Sequence, residues 1–121
     1  MAKRILAVDD SKTMRDMVSF TLKGAGYEVL LADDGINALN AVSNETVDLV
    51  ITDVNMPNMN GIELVEKLRE DPRFRATPIL ILTTESDDDL KQQGRAAGAT
   101  GWIVKPFVPE KLLKVVGKVC A

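Results

Sequence analysis

Asp48-Leu49-Val50-Ile51-Thr52-Asp53-Val54-Asn55-Met56-Pro57-Asn58-Met59-Asn60-Gly61 decides how the rest of the chain is read. Apolar and β-branched residues run straight into the Asp53 carboxylate, and a loop rich in Pro, Asn and Gly follows at once. The pattern predicts a buried strand over 48–53 that ends at the sheet edge and pushes its last side chain out there. Three other stretches share the plan: Ile5-Leu6-Ala7-Val8 into Asp9-Asp10, Ile79-Leu80-Ile81-Leu82 into Thr83-Thr84, and Trp102-Ile103-Val104 into Lys105-Pro106. Carboxylates, a hydroxyl and an ammonium therefore stand at strand exits. They are expected to converge on Asp53.

Helical periodicity fills the gaps between these strands. Ser11 suits the cap of a helix whose apolar face is Met14, Met17, Val18 and Leu22, with Gly24 and Gly26 stopping it. Val29-Leu30-Leu31-Ala32 reads as a short strand, and Asp33-Asp34-Gly35 turns into a helix with Leu39 and Val42 inward. Asn60, or the loop before it, caps a third helix with Leu64, Val65 and Leu68 inward, ending near Asp71-Pro72. Pro109 and Glu110 fit the first turn of a last helix that packs Leu112, Leu113, Val116 and Val119. The helix over 87–97 has only Leu90, Ala96 and Ala97 to bury and carries Gly94 inside it. Glycine costs a helix interior about 1 kcal/mol relative to Ala, so this element is expected to be loosely held and suited to switching.

The resulting order is βα five times over. Strands that are apolar throughout are buried on both faces, which means a doubly wound parallel sheet between helix layers. A chain of 121 residues makes one such α/β domain, spanning 1–121. In these folds the site lies outside the carboxyl ends of the strands, where Asp9, Asp10, Asp53, Thr83 and Lys105 all fall.

Composition narrows the chemistry. The net charge is −3 with both signs interspersed, which argues against nucleic-acid binding. No apolar run approaches the roughly 18 residues needed to span a membrane. Met1-Ala2-Lys3-Arg4 leaves no room for a signal peptide, and the single Cys120 suits a reducing cytoplasm. There is no histidine, so Ser-His-Asp and Cys-His machinery and His-based metal sites are excluded. Any metal is held by oxygens, which favours Mg²⁺, Mn²⁺ or Ca²⁺. Asp10 and Asp53 facing each other repel, and a divalent cation is the natural compensation. With Lys105 adding positive charge and Thr83 a hydroxyl donor, the set suits a phosphoryl group carried on a carboxylate.

Asp9-Asp10, Asp53 with the loop that follows it, Thr83 and Lys105-Pro106 resemble the receiver domains of two-component response regulators. Thr13-Met14-Arg15 and Asn55-Met56-Pro57-Asn58-Met59 look like the single-domain chemotaxis members. The resemblance covers nearly the whole chain and implies a flavodoxin-like sheet order 2-1-3-4-5. It implies that Asp53 accepts a phosphoryl group from a phosphohistidine on a partner histidine kinase. Asp10, Asp53 and the backbone carbonyl of Asn55 would bind Mg²⁺, with Mn²⁺ as a substitute, and Asp9 would act through water. Lys105 would pair with the phosphoryl oxygens, Thr83 would hydrogen-bond to the phosphoryl group, and Asn55 and Glu85 would flank it. Trp102 stands where the family usually has an inward-turning Tyr or Phe, and Val54 where that subgroup often has an aromatic residue. A cis Lys105-Pro106 bond is also implied.

The functional expectation is a stand-alone receiver with no output domain. It would signal to the flagellar motor switch, or another protein, through the face formed by the helix over 87–97, the last strand and the last helix. Lys91, Arg95, Lys111, Lys114 and Lys118 on those helices suit an acidic partner. The competing output is a phosphate sink or relay intermediate. A Mg²⁺-dependent aspartyl-phosphate phosphatase would use the same residue types, but it normally needs a general acid and a cap domain. A small flavin carrier would need a hydroxyl- and glycine-rich loop where Asp9-Asp10-Ser11-Lys12 stands.

Overall fold

The structure is a computed structural model and describes residues 2–120. Met1 and Ala121, the expected bounds of the domain, lie outside the described residues. The elements in chain order are β1 (Arg4–Val8), α1 (Lys12–Gly24), β2 (Glu28–Ala32), α2 (Gly35–Ala41) and β3 (Leu49–Thr52). There follow α3 (Gly61–Glu70), a 3-10 turn (Pro72–Phe74), β4 (Ile79–Thr83), α4 (Asp88–Ala97), β5 (Gly101–Val104) and α5 (Pro109–Val119). All strand pairs are parallel and the sheet order is β2-β1-β3-β4-β5, as the resemblance implied.

Alternation along the strands divides the core into two. Leu6, Val8, Val50, Ile79 and Ile81 face α2 and α3, where they meet Ala38, Leu64, Val65, Leu68 and Phe74. Ile5, Ala7, Leu49, Ile51, Leu80 and Leu82 face α1 and α5, where they meet Val18, Leu22, Leu112 and Val116. The central strands β3 and β4 are buried along their whole length, while the edge strands β2 and β5 are only partly covered. Among the described residues no helix is long and apolar enough to cross a membrane.

Capping follows the residue types. Ser11, Asp34 and Asn60 each accept a backbone N–H from the first turn of α1, α2 and α3, and Asn60 with Glu63 completes a reciprocal capping box. Two details of the expected helix faces need correction. Met17 is half exposed and Ser19 is buried in its place, because α1 covers one sheet face jointly with α5 and buries only a narrow stripe. In α2 the fully buried residue is Ala38, with Leu39 only partly covered.

Arg69 closes the far end of the molecule. Its guanidinium donates to the Gly98 carbonyl at 2.9 and 3.1 Å, to Thr77 at 2.7 Å and to Phe74, tying α3 to the segments flanking β4 and α4. Gly98 ends α4 at φ +113°, a left-handed conformation that glycine adopts without strain.

Candidate functional site

Asp53 lies one residue beyond β3, not within it as read from the sequence. Its N–H still donates to the Val8 carbonyl at 3.0 Å, so the strand's direction carries through to the carboxylate. Gly61 fixes the return of the chain: a Cβ there would sit 1.9 Å from the Asp53 carbonyl oxygen, so only glycine fits. Asp53 Oδ1 accepts the Val54 N–H at 2.6 Å, and Oδ2 accepts the Lys105 ammonium at 2.9 Å. Lys105 also donates to Asp9 Oδ2 at 2.6 Å. Only 9–11% of these three side chains is exposed. Burial works against the Lys105 charge, but the hydrogen bonds to Asp9 and Asp53 outweigh it and hold its pKa above the ordinary lysine value.

Asp9, Asp10 and Asp53 each offer a carboxylate oxygen, and these oxygens lie within 4.8 Å of one another. Asp10 is exposed while the other two are buried. One ammonium is set against three carboxylates, so negative groups outnumber positive ones in the cluster. The donor set is all oxygen and carries excess negative charge, which fits a hard divalent cation such as Mg²⁺. Asp9 is more constrained than the expected water-mediated role required. Its Oδ1 accepts the Ser11 N–H at 2.9 Å, Lys105 occupies Oδ2, and Arg15 donates to its carbonyl at 2.7 Å. Arg15 was legible in sequence only as part of Thr13-Met14-Arg15; nothing there assigned it to the Asp9 backbone.

The other expected site residues gather one loop away. Thr83 ends β4 fully buried, and its hydroxyl accepts the Glu85 N–H at 3.3 Å. Asn55, exposed at the rim, donates to Glu85 Oε1 at 2.8 Å. Trp102 is half-buried, and its indole N–H donates to the Glu85 carbonyl at 2.9 Å. Asp9, Asp10, Asp53 and Lys105 thus form one cluster, while Thr83, Asn55 and Trp102 are linked through Glu85. The Lys105-Pro106 bond is cis.

The profile of the family described as the response regulator receiver domain matches residues 5–117. The chain belongs to the response regulator receiver family. Among curated relatives, this receiver is 44% identical to the chemotaxis protein CheY1 of Helicobacter pylori, over 94% of this chain and 97% of that protein. It is 42% identical to a CheY homologue of Campylobacter jejuni, over 94% of this chain and 92% of that one. Among solved structures, chemotaxis protein CheY4 of Vibrio cholerae matches the receiver with a TM-score of 0.95 and 51% identity, covering 98% of this chain and 99% of that chain.

Proposed function

We propose that this receiver accepts a phosphoryl group on Asp53 from the phosphohistidine of a partner histidine kinase. An Asp53 carboxylate oxygen attacks phosphorus, the P–N bond breaks, and the electron pair leaves with the imidazole nitrogen. The observation that supports this best is the buried Asp9–Lys105–Asp53 bridge at the carboxyl edge of the sheet, with Asp10 beside it. Asp10, Asp53 and the Asn55 carbonyl would hold Mg²⁺ or Mn²⁺, with Asp9 acting through water. When bound, the cation screens the charge of the phosphoryl oxygens. Lys105 is already positioned to leave Asp53 Oδ2 for a phosphoryl oxygen. Thr83 would donate its hydroxyl to the same group and release the Glu85 N–H it now accepts. Trp102 would respond through the Glu85 carbonyl.

The receiver would act in the cytoplasm and catalyse only its own phosphorylation and dephosphorylation. The two curated relatives described above are chemotaxis proteins, which favours control of the flagellar motor through the surface of α4, β5 and α5. A cavity of about 380 Å³ opens there, lined by Trp102, Val104, Phe107, Val108, Lys111 and Val115. A phosphate sink or relay intermediate is the alternative output, and a pull-down with the phosphorylated protein separates the two. Incubation with acetyl phosphate and Mg²⁺ should give an acid-stable, base-labile adduct that peptide mapping places on Asp53 and that Asp53→Asn abolishes. An adduct on Asp9, Asp10 or a hydroxyl overturns the assignment.

A further inference from the structure

Asp34 is a buried carboxylate that the phosphoryl chemistry leaves unused. Its Oδ1 caps α2 by accepting the Asn37 N–H at 2.7 Å, and its Oδ2 accepts the Asn58 side-chain amide, also at 2.7 Å. Asn58 sits in the middle of the loop between β3 and α3 with φ +68°, the only non-glycine residue at positive φ among those described. Asparagine tolerates that conformation better than most residues, but it still needs support from its surroundings. The neighbouring pair adds a second tie. The Met59 carbonyl accepts the Gly35 N–H at 3.3 Å, and a Cβ on Gly35 would come within 2.7 Å of Met59 Cγ. Residues 34 and 35 at the start of α2 therefore grip residues 58 and 59 of the loop. That loop begins at Asp53 and carries Asn55.

We propose that Asp34 is a positioning residue for the metal-holding loop. By gripping Asn58 it presets the backbone of 54–59 before a cation arrives. The inference rests on the proposed role of the Asn55 carbonyl and deepens it. Hydrogen bonds from Asn37 and Asn58 hold the Asp34 carboxyl below its ordinary pKa, so it stays ionised and its bond to Asn58 is charge-assisted. Contacts behind a ligand orient it, and their loss typically lowers metal affinity by about 10-fold or more.

Three variants test the grip. Asp34→Ser keeps an oxygen that caps α2 but withdraws the one that holds Asn58. Asn58→Asp sets a second carboxylate against Asp34. The double variant Asp34→Asn with Asn58→Asp reverses donor and acceptor at unchanged net charge. In metal-free protein, Asp34→Ser and Asn58→Asp should speed amide exchange over residues 55–59 by about 10-fold, and the double variant should return it towards wild type. By calorimetry, Asp34→Ser should weaken Mg²⁺ binding about 10-fold, and the double variant should recover it. Unchanged exchange in Asp34→Ser overturns the inference. So does a double variant no better than Asn58→Asp, or equal acceleration in α3 and α5, which would indicate general destabilisation. Wild-type protein that binds no Mg²⁺ at all would instead overturn the metal reading on which the inference rests.

Discussion

Trp102 lies with its six-membered ring against Gly94, so close that a Cβ at 94 would come within 2.9 Å of Trp102 Cζ3. Read from the sequence, Gly94 weakens α4. In the fold it is the socket that admits an indole between β5 and the helix. The five-membered ring of the same indole donates its N–H to the Glu85 carbonyl, so one side chain touches α4 and the loop after Thr83.

Gly94→Ala should therefore destabilise the protein although alanine is the better helix former. The gain in propensity is at most about 1 kcal/mol. Against it stand contacts of 2.9 Å to Trp102 and 3.0 Å to Cδ1 of the fully buried Ile81. Overpacking of this kind costs about 1–3 kcal/mol, for a net loss of about 1 kcal/mol. Urea unfolding followed by the fluorescence of this sole tryptophan measures it, and a more stable variant would reject the socket.

Mg²⁺ binding should disappear in the Asp10→Ala, Asp53→Ala double variant when measured by titration calorimetry. Lys105→Ala should act in the opposite direction. Without its ammonium, the carboxylates of Asp9 and Asp53 face each other uncompensated, so the metal-free protein should lose about 1–3 kcal/mol of stability. A cation should then bind more tightly than to wild type, since it no longer competes with Lys105. Weaker Mg²⁺ binding by Lys105→Ala would mean that the lysine assembles the carboxylates and does not compete with the ion.

Acid sensitivity should trace partly to Asp34. Its folded pKa is depressed, first by the Asn37 N–H and then by the Asn58 amide. Its contribution is therefore complete above the unfolded pKa of about 3.9 and is lost as pH falls through the lower folded value. Asp34→Ser should flatten the stability profile below about pH 4 and leave its shape unchanged between about pH 6 and 8. Parallel profiles for the variant and wild type would remove Asp34 from the acid transition.

Phosphoryl mimicry with beryllofluoride should change hydrogen exchange most across residues 83–105 and little across residues 14–31. Thr83 gains a charge-assisted bond only when the mimic is present, and α4, with Gly94 as its only buried residue, has little apolar area to resist movement. A bias of about 1–3 kcal/mol would change partner affinity roughly 5- to 150-fold. Thr83→Ala should bind the mimic and lose most of the difference. Normal switching in that variant would transfer the role to Lys105.

What the sequence settled by itself is what periodicity and residue type control. Unbroken apolar strands cannot leave a face in water, so Leu49–Thr52 and Ile79–Thr83 had to lie inside a parallel sheet covered by helices on both faces. Charged residues at the ends of such strands cannot be drawn into the core, so Asp9, Asp53 and Lys105 had to appear at its carboxyl edge. The tertiary structure decided which of these groups touch. Lys105 and Asp9 are separated by 96 positions, and no local pattern encodes a 2.6 Å contact across that distance. The grip of Asp34 on Asn58 and of Arg69 on Gly98 were invisible for the same reason: each needs loops from different elements brought together. Gly94 was legible as a weak helix residue but not as a packing site, because helix propensity is local, whereas the space filled by Trp102 exists only after β5 has paired with β4.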